Sequence, residues 1–368
     1  MKVEVNQKEF YQAIQTVKKA VSTKTTLPIL SGILLRTQGN TLKLVGTDLE
    51  IGIECFVDAT VTTEGDIVLP AKYLASIIRE LPNEKVILAT EPSNNTSQIK
   101  CDNSQFNIHG SAADEFPLLP EIESNTKFSI SQQKLKKIIN QIEFAVSEDE
   151  NKPFLTGGLL ILNDQKVELV ATDTYRLAYR EDEISQETSA TEKAIIPNKT
   201  LTELSKLLDK SADEVEIVIT ENQILFTFAG ISIVSRLIEG QFPNYQQVIP
   251  NQTKTQVEVD KNTLLQATKR AALLAKKESN IIKINFESNR LIITSNAPEI
   301  GQAYEEVPVS LTGPESEIAF NASYLMDCLK EIDKEKVIIE LSGALAPGVI
   351  KTNSEQKYIY VIMPVRSA

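Results

Sequence analysis

The apolar residues of this chain follow two spacings, which alternate along its length. A short alternating run, MKVEV, precedes a segment whose apolar residues recur at helical spacing: Phe10, Ala13, Ile14, Val17, Ala20 and Val21. Asn6 stands where it can cap that helix. Strand-like runs such as GILLRT and TLKLVGTD come next. Continued along the chain, the pattern predicts six helices, near residues 8–20, 71–80, 132–146, 198–210, 261–278 and 322–331.

Short sequence motifs recur at a nearly constant interval along the chain. Thr47-Asp48 is matched 125 residues later by Thr172-Asp173, and a degenerate third copy, Ser295-Asn296, follows after another 123. The prolines at two helix entrances, Pro70 and Pro197, are 127 residues apart. The order of the predicted elements, the positions of the turn and proline residues, and the intervals between them all agree. We therefore predict one α+β unit repeated three times, each an antiparallel sheet packed against two helices. The expected domains are 1–125, 126–252 and 253–368; the alternative is three unrelated domains that resemble one another by chance.

Composition adds limits on location and redox chemistry. One third of the 368 residues is close to the commonest domain size, roughly 100–150 residues. No apolar run approaches the roughly 20 residues that cross a bilayer, and the start, MKVEVNQKEF, lacks the apolar segment of a secretory signal. The three scattered cysteines do not form the even set of a disulfide framework. We expect a soluble, cytoplasmic protein with reduced, mostly buried thiols and no cofactor.

Charge is divided between the helices and the rest of the chain. The net charge of −12, taken alone, argues against a nucleic-acid partner. The six predicted helices nevertheless carry +9, which leaves −21 for the remainder. Helices can favour Lys while loops collect acidic residues, or helix faces can line a surface that contacts a polyanion. Since no base-stacking array or recognition-helix motif accompanies the lysines, the second interpretation implies phosphate contacts without sequence preference.

The sequence offers no constellation for catalysis or metal binding. His109 is the only histidine, so no Ser-His-Asp set can be assembled around it. Gly157-Gly158 lacks the GK[ST] ending of a phosphate loop. The acidic turn 148–150 is typical of a solvated loop. Asp48 and Asp173 fall in different repeats, and we interpret both as strand-end residues that accept local backbone hydrogen bonds.

Six sequence segments together carry a family resemblance. They are TLPILSGILL (26–35), GTDLEI (46–51), ATDTYRLA (171–178), EGQFPNYQQVIP (239–250), FNASYL (320–325) and YVIMPVR (360–366). All six in this order, on a threefold repeat, resemble the bacterial DNA polymerase III β subunits, the sliding clamps. The resemblance extends over essentially the whole chain.

The resemblance implies a DNA-clamp fold and a function by topology. Two copies would form a head-to-tail dimer whose six domains close a ring, with helices lining the hole and sheets forming the outer wall. The ring would encircle duplex DNA, slide along it and tether the replicative polymerase, which requires no catalysis. A tethered polymerase rebinds the template before it diffuses away.

The resemblance also implies a peptide site between the second and third domains, which would bind the polymerase catalytic subunit, the clamp loader and repair proteins through short linear peptides. The matching positions are Leu155, Thr172, Tyr175, Arg176, Leu177, Pro243, Val248, Asn321, Tyr324, Val361, Met363, Pro364, Val365 and Arg366. Their apolar members suit an aliphatic or aromatic anchor, and Met adapts to varied partners. Arg176 and Arg366 could meet acidic or backbone groups at the rim. Without the resemblance, Val361 and Met363 would be assigned to a terminal core strand.

Two departures from the family pattern lie near this site. Gln247 occupies a position where some relatives have a basic residue, and Ser367-Ala368 extends past Arg366. The shape of the pocket beside these residues is therefore left open.

Further positions are carried over for DNA and for the dimer. The predicted DNA-binding residues are Lys24, Lys137, Lys152, Phe154, Lys199, Lys269 and Arg270. The predicted dimer interface sets Phe106 and Ile108 of the first domain against Leu273 and Leu274 of the third. Leu273 is notable by itself, because it is an apolar residue on an otherwise polar helix stripe.

Two other functions remain possible from the sequence. A triple-repeat scaffold would bind peptides but not DNA, and its retention would not depend on DNA topology. An unrecognised hydrolase would lose activity on replacement of one carboxylate, with Asp173 the candidate.

Overall fold

A computed structural model describes residues 1–22, 27–91, 93–120, 122, 126–275, 280–353 and 357–366; of residues 185–190 it describes the backbone alone. Within these ranges lie six α-helices: α1 (Gln7–Val17), α2 (Ala71–Glu80), α3 (Gln132–Glu143), α4 (Asn198–Leu207), α5 (Lys261–Ala275) and α6 (Ala322–Glu331). Short 3₁₀ turns cover Lys18–Ala20, Pro28–Ser31, Ala113–Glu115, Pro153–Leu155 and Tyr245–Val248.

The strands of the first half of the chain are β1 (Lys2–Asn6), β2 (Gly32–Gln38), β3 (Thr41–Thr47), β4 (Ile51–Thr63), β5 (Asp66–Pro70), β6 (Lys85–Glu91), β7 (Thr96–Cys101), β8 (Ser104–His109), β9 (Thr126–Ser131), β10 (Gly157–Thr172) and β11 (Arg176–Pro197). Those of the second half are β12 (Glu214–Ile219), β13 (Gln223–Phe228), β14 (Ile231–Arg236), β15 (Thr255–Asp260), β16 (Ile281–Phe286), β17 (Arg290–Ala297), β18 (Gly301–Thr312), β19 (Ser316–Asn321), β20 (Lys336–Leu341), β21 (Gly348–Lys351) and β22 (Tyr358–Ile362).

One compact unit, here called unit 1, comprises residues 1–132 and 206–237. Its twelve strands form an antiparallel sheet in the order β8-β7-β6-β1-β4-β14-β13-β12-β9, with β3 also on β4 and β2 between β3 and β5. Helices α1 and α2 pack against each other, and α1 buries Phe10, Ile14 and Val17 completely. Asn6 caps α1 as predicted, since its side chain accepts hydrogen bonds from the backbone N–H groups of Lys8 and Glu9.

The other compact unit, unit 2, comprises residues 133–205 and 238–368. Its ten strands follow the order β10-β11-β22-β21-β20-β15-β18-β17-β16-β19, again antiparallel. Helices α5 and α6 pack against each other. Helix α3 buries one apolar face, with Leu135, Ile138, Ile139 and Ile142 at most 5% exposed.

The helix predictions are confirmed in place and corrected at their ends. The spans 71–80 and 322–331 agree with α2 and α6 at both ends. The α-helix predicted over 8–20 stops at Val17, and its last residues tighten into a 3₁₀ turn. Helices α3 and α4 stop three residues short of the predicted ends, at Glu143 and Leu207. Residues 276–279, the end of the predicted 261–278 helix, lie outside the described residues.

The hairpin of β10 and β11 is longer than its hydrophobic pattern predicts. The hydrophobic pattern of GLLILN and KVELVATD predicts two strands, but β10 runs through both segments. Its pairing is irregular around Asp164, whose φ is +52°. The polar stretch after Arg180 carries no period-2 signal, yet it continues β11 as far as Pro197. Backbone hydrogen bonds to β10 hold this stretch, and such bonds leave no mark in the sequence.

Sheet hydrogen bonding crosses the predicted domain boundaries. Strand β4 pairs with β14, opposing Gly52 to Val234, and β11 pairs with β22, opposing Leu177 to Val361. Strands of the predicted second domain are thereby divided between the two sheets. The boundaries at 125 and 252 remain a prediction from the repeat.

Across the described ranges, no helix is both long and apolar enough to span a bilayer. Cys55, Cys101 and Cys328 are free and buried, as expected for reduced thiols. Burial raises the pKa of Cys55 and Cys328 to about 12, which keeps both as unreactive thiols.

Candidate functional site

The Thr-Asp turn of unit 2 connects β10 to β11. Asp173 Oδ1 accepts hydrogen bonds from the backbone N–H of Tyr175 at 2.9 Å and of Arg176 at 3.0 Å. Thr172 Oγ1 donates to the carbonyl of Arg176 at 2.7 Å. Thr174 adopts a φ of +77°, a conformation that the surrounding bonds hold in place. The turn is fixed by its own side chains.

The Thr-Asp turn of unit 1 has the same bonds. Asp48 Oδ1 accepts from the N–H groups of Glu50 and Ile51 at 3.0 and 2.9 Å, and Thr47 Oγ1 donates to the carbonyl of Ile51 at 3.0 Å. Leu49 has a φ of +78°. Asp48 and Asp173 are thus strand-end residues with local backbone bonds, as predicted. The degenerate third copy makes no such turn, because Ser295 and Asn296 lie inside β17.

Arg176 follows the turn and is held inside the protein. Its Nε lies 2.9 Å from Asp173 Oδ2, and its Nη1 lies 2.9 Å from Asp327 Oδ2 on α6. The guanidinium carbon stands 4.3 Å from the ring centroid of Tyr324 and 5.6 Å from that of Phe144. Two carboxylates and two aromatic rings hold the Arg176 side chain in one position. It is therefore a fixed part of the cavity lining and not a mobile charge at the rim.

A cavity of about 200 Å³ opens beside this turn. It is lined by Thr172, Thr174, Arg176, Leu177, Pro243, Asn244, Tyr245, Val248, Val361 and Met363. Leu177 and Val361 oppose each other on β11 and β22 and are 2% and 1% exposed. A concave, mostly apolar site with a few fixed polar groups suits an apolar side chain presented by a ligand.

Seven of the fourteen predicted peptide-site residues line this cavity: Thr172, Arg176, Leu177, Pro243, Val248, Val361 and Met363. Sequence reasoning missed Thr174, Asn244 and Tyr245. Thr174 and Asn244 are each adjacent to a predicted residue, so proximity along the chain was the signal that could have found them. Tyr245 lies in the family segment 239–250 but next to no predicted residue.

The other predicted residues are not part of the cavity lining. Leu155 is buried in the 3₁₀ turn before β10, and Tyr175 is 62% exposed on the Thr-Asp turn. Asn321 caps α6 by accepting from the N–H of Ser323, and it also accepts a bond from Asn280. The ring of Tyr324 lies against the guanidinium group of Arg176.

The segment after β22 passes beside the Thr-Asp turn. The backbone N–H of Met363 donates to the carbonyl of Tyr175 at 2.9 Å, and that of Val365 donates to Ala319 at 2.8 Å. Pro364 is half-buried between them and Arg366 is exposed. Ser367 and Ala368 lie outside the described residues.

Tyr245, which lines the cavity, is paired with Tyr179. The rings of Tyr245 and Tyr179 stack, with centroids 5.9 Å apart and planes inclined by 27°. Tyr245 donates its hydroxyl to Glu168 at 2.9 Å, and Tyr179 donates to Glu181 at 2.7 Å. Burial, together with these carboxylates, raises the pKa of both tyrosines, so both hydroxyls remain hydrogen-bond donors at physiological pH.

The predicted DNA-binding residues differ in how their charge is balanced. Lys137 lies 2.8 Å from Asp333, and Arg270 forms two bonds to Glu305, at 2.8 and 2.6 Å. Lys152, Lys199 and Lys269 are exposed. Phe154 is half-buried against the apolar cluster that contains Tyr245. Lys24 lies outside the described residues.

The predicted dimer residues include two exposed apolar side chains. Phe106 is 40% exposed on β8, which ends the strand order of its sheet, and Ile108 on the same strand is half-buried. On α5, Leu273 is 74% exposed and Leu274 half-buried. Exposed apolar groups on a sheet edge and on a helix are features of an interaction surface.

Two other features of the sequence have simple structural roles. His109 is exposed at the end of β8, with Nδ1 3.1 Å from Thr96 Oγ1. In the acidic turn, Asp149 accepts hydrogen bonds from the backbone and side chain of Asn151, which lower the pKa of that carboxyl. Among the described residues, no group of three or more His, Cys, Asp or Glu side chains is placed to hold a metal ion.

Comparison with known families accounts for almost the whole chain. Residues 1–120, 129–244 and 246–366 match the N-terminal, central and C-terminal domains of the DNA polymerase III beta subunit. The beta sliding clamp of Bacillus subtilis (strain 168) is 35% identical over 378 residues, covering 100% of both chains.

Two solved structures covering 100% of both chains have the same fold. The DNA polymerase sliding clamp from Bacillus subtilis superposes with a TM-score of 0.96 at 34% identity. A putative DNA polymerase III beta subunit from Eubacterium rectale gives a TM-score of 0.95 at 34% identity. The chain belongs to the DNA polymerase III beta subunit family, the beta sliding clamps, and has the three-domain α+β fold of that family.

Proposed function

We propose that this chain, a DNA sliding clamp, closes head to tail with a second copy into a ring around duplex DNA. Through the cleft beside the Thr-Asp turn of unit 2, the ring holds the replicative polymerase and, in turn, the clamp loader and repair proteins. The ring works in the cytoplasm, on the chromosome. The observation that carries the proposal is the full-length match to beta sliding clamps together with a preformed apolar cleft at the matching residues.

The clamp acts by tethering and not by catalysis. A polymerase bound to a ring that cannot leave the template is kept at high effective concentration near the primer end. The gain is in rebinding, and no bond is made or broken by the clamp itself. Asp173, the carboxylate that a hydrolase would need, is fully engaged by the turn and by Arg176.

The cleft suits a short peptide with an apolar anchor. Leu177, Val248 and Val361 supply aliphatic surface, and Met363 adds a side chain that adapts to different anchors. The cavity volume of about 200 Å³ takes side chains and not a folded domain. Partners therefore compete for one small site by presenting extended segments.

Contact with DNA is electrostatic and independent of sequence. Lys152, Lys199 and Lys269 are exposed, so the phosphate groups of DNA can reach them. Arg270 is bonded to Glu305, so its contribution requires that this pair open or that both groups share the contact. Weak, diffuse contacts favour sliding over fixed binding.

The dimer joins the β8 edge of one copy to α5 of its partner. Phe106 and Ile108 offer apolar contacts from a sheet edge, and Leu273 and Leu274 offer them from the helix. Two such contacts, related by symmetry, close a ring of two chains.

A truncation tests the cleft and the tethering together. Deletion of Met363 to Ala368 removes Met363 from the cleft lining but leaves β22 intact. We expect the variant to fold and dimerise, to lose binding of a fluorescent peptide copied from the polymerase catalytic subunit, and to support only short products in loader-dependent primer extension. Unchanged peptide affinity would contradict the cleft assignment, and long products without peptide binding would contradict the tether.

A further inference from the structure

One loop of the cleft lining is held in place by a residue, Tyr245, that packs next to the cleft and not on Leu177. This loop, residues 243–248, contributes Pro243, Tyr245 and Val248 to the lining. Tyr245 is 8% exposed and stacks on Tyr179, which lies two residues beyond Leu177 on β11 and therefore on the same face of the strand. The ring of Tyr245 therefore packs on Tyr179, the next residue after Leu177 on that face of β11, and not on Leu177 itself.

A carboxylate from the neighbouring strand fixes this position. Glu168 on β10 accepts the Tyr245 hydroxyl bond at 2.9 Å. Tyr179 is held in the same way by Glu181, which also lies 2.8 Å from Lys166, and Lys357 stands 5.4 Å above the Tyr179 ring. Each tyrosine of the pair is therefore held by a hydrogen bond from its hydroxyl as well as by stacking of its ring.

Unit 1 provides an internal comparison, because it has the same turn and the same strand register. Gly52 opposes Val234 in unit 1 as Leu177 opposes Val361 in unit 2, at offsets of 125 and 127 residues. The counterparts of Glu168, Tyr179 and Tyr245 at offsets of 125, 125 and 126 residues are Lys43, Glu54 and Leu119. Lys43 and Glu54 form an ion pair at 2.6 Å, so the tyrosine pair is absent at these matching positions.

The matching loop of unit 1 lies on the strand instead of standing away from it. A Cβ built on Gly52 would come within 2.2 Å of Leu119 Cδ2, so the leucine side chain occupies the space over Gly52. Gly52 permits this approach because it has no side chain. In unit 2 the corresponding loop residue packs on Tyr179, and Leu177 remains part of the cavity lining.

We propose that Tyr245, stacked on Tyr179 and bonded to Glu168, is a positioning residue that keeps the loop 243–248 away from Leu177 and so holds the peptide cleft open in the free protein. This rests on the proposed peptide-binding function of the cleft. An open cleft spares the ligand the cost of displacing the loop, so the tyrosine pair raises peptide affinity. The same turn and register in unit 1, without the tyrosine pair, show that the clamp fold itself does not require the pair.

The test compares variants of the full-length protein in binding a fluorescent peptide copied from the polymerase catalytic subunit. Tyr245→Leu introduces the residue of unit 1, and we expect it to weaken binding at least about tenfold. Tyr245→Phe keeps the stacked ring and loses the hydroxyl bond, for an expected loss of about threefold. Glu168→Gln keeps an acceptor oxygen and should bind like wild type, whereas Glu168→Ala should match Tyr245→Phe.

The matched control is Tyr304→Phe, which removes another tyrosine–glutamate bond of unit 2, to Glu306, from an exposed site outside the cleft lining. It should leave peptide binding unchanged. Stopped-flow kinetics supply a readout that general destabilisation would not move. If the cleft is closed for part of the time, the association rate falls in proportion while the dissociation rate stays near wild type.

The outcomes separate the two proposals. Failure of the wild-type protein to bind the peptide would overturn the peptide-binding function. Binding by wild type with Tyr245→Leu within twofold of it would overturn the positioning role alone. If Tyr245→Leu does not fold, the pair Glu168→Ala and Glu168→Gln decides: equal affinities of the two variants would overturn the proposal.

Discussion

Single side chains around the Thr-Asp turn serve the fold and the cleft at the same time. Asp173 accepts two backbone bonds, as Asp48 does in unit 1, and in addition pairs with Arg176. The backbone bonds belong to the repeated architecture, whereas the arginine pair exists only in the copy that borders the cavity. Arg176 then fixes Tyr324 and Asp327 of α6 beside the turn.

Replacement of Asp173 by Ala separates these two roles. We expect a loss of about 1–3 kcal/mol in unfolding free energy, because two turn bonds and one charged pair disappear. Peptide affinity should fall as well, because Arg176 and Thr172 lose their positions. Urea titration and fluorescence anisotropy measure the two effects.

Asp48→Ala is the matched control, since it removes the same two backbone bonds from unit 1. It should cost stability but leave peptide affinity at the wild-type value. Equal loss of affinity in both variants would mean that the effect is general and that Asp173 has no special relation to the cleft.

At this scale the sequence predicted bonds that follow from local chemistry. The backbone bonds of Asp48 and Asp173 and the cap by Asn6 were all expected, because short polar side chains satisfy nearby N–H groups wherever a strand or helix begins or ends. The fixed state of Arg176 was not expected, because its second carboxylate, Asp327, is 151 residues away. Tyr245 was missed for the same reason, since Glu168 and Tyr179 are distant in sequence.

Helix α5 is the element whose surface departs most from an ordinary amphipathic pattern. It buries Leu264, Ala271 and Ala275, yet Leu273 is 74% exposed among polar neighbours. An apolar side chain that is this exposed on a helix gains nothing for the single chain. Its position matches the proposed interface with the β8 edge of a second copy.

Replacement of Leu273 by Lys is expected to open the proposed dimer. The lysine would place a charge in a contact from which water is excluded, with no opposite charge to pair with it. Burying an unpaired charge in this way costs several kcal/mol of association free energy. Sedimentation at low micromolar concentration should show monomers for this variant and dimers for wild type.

Leu345→Lys is the control, because Leu345 is 72% exposed and lies in unit 2 outside the proposed interface. It should sediment as wild type does. A Leu273→Lys protein that remains dimeric at low concentration would show that α5 does not form the interface.

Elements were predicted best where burial is one-sided. The six helices were placed from apolar spacing, and α2 and α6 agree at both ends. The polar part of β11 was missed because backbone pairing to β10, and not a buried face, makes it a strand. The end of α1 was predicted too late, because the helical spacing of apolar residues continues to Ala20. Ala20 is buried although it lies in a 3₁₀ turn, so burial alone does not distinguish the two helix types.

At the scale of the whole molecule, the repeat accounts for the matching turns of the two units and for the place of the proposed peptide site. The same turn occurs in unit 1 and unit 2 with matching strand register, but only unit 2 adds Arg176 and the tyrosine pair. Sequence spacing revealed the repeat, and the family segments located the cleft. The grouping of strands into two sheets could not be read from spacing, because pairing of β4 with β14 and of β11 with β22 depends on contacts across the repeats.

The distribution of charge suits the proposed sliding ring. The chain carries −12 overall, with positive charge enriched on the predicted helices. Ion pairs such as Arg270 with Glu305 and Lys137 with Asp333 neutralise part of that enrichment. A surface with moderate, partly balanced positive charge binds phosphate weakly, which suits retention by topology better than retention by affinity.

Retention on circular DNA is therefore the most direct test of the clamp function. Wild-type protein is loaded by the clamp loader onto a nicked circle, passed through gel filtration in high salt, and examined before and after a restriction enzyme linearises the DNA. We predict that the protein stays with the circle and leaves the linear molecule, because only the circle has no free end. Equal retention on both forms, or equal loss from both, would contradict encirclement and favour a peptide-binding scaffold that does not enclose DNA.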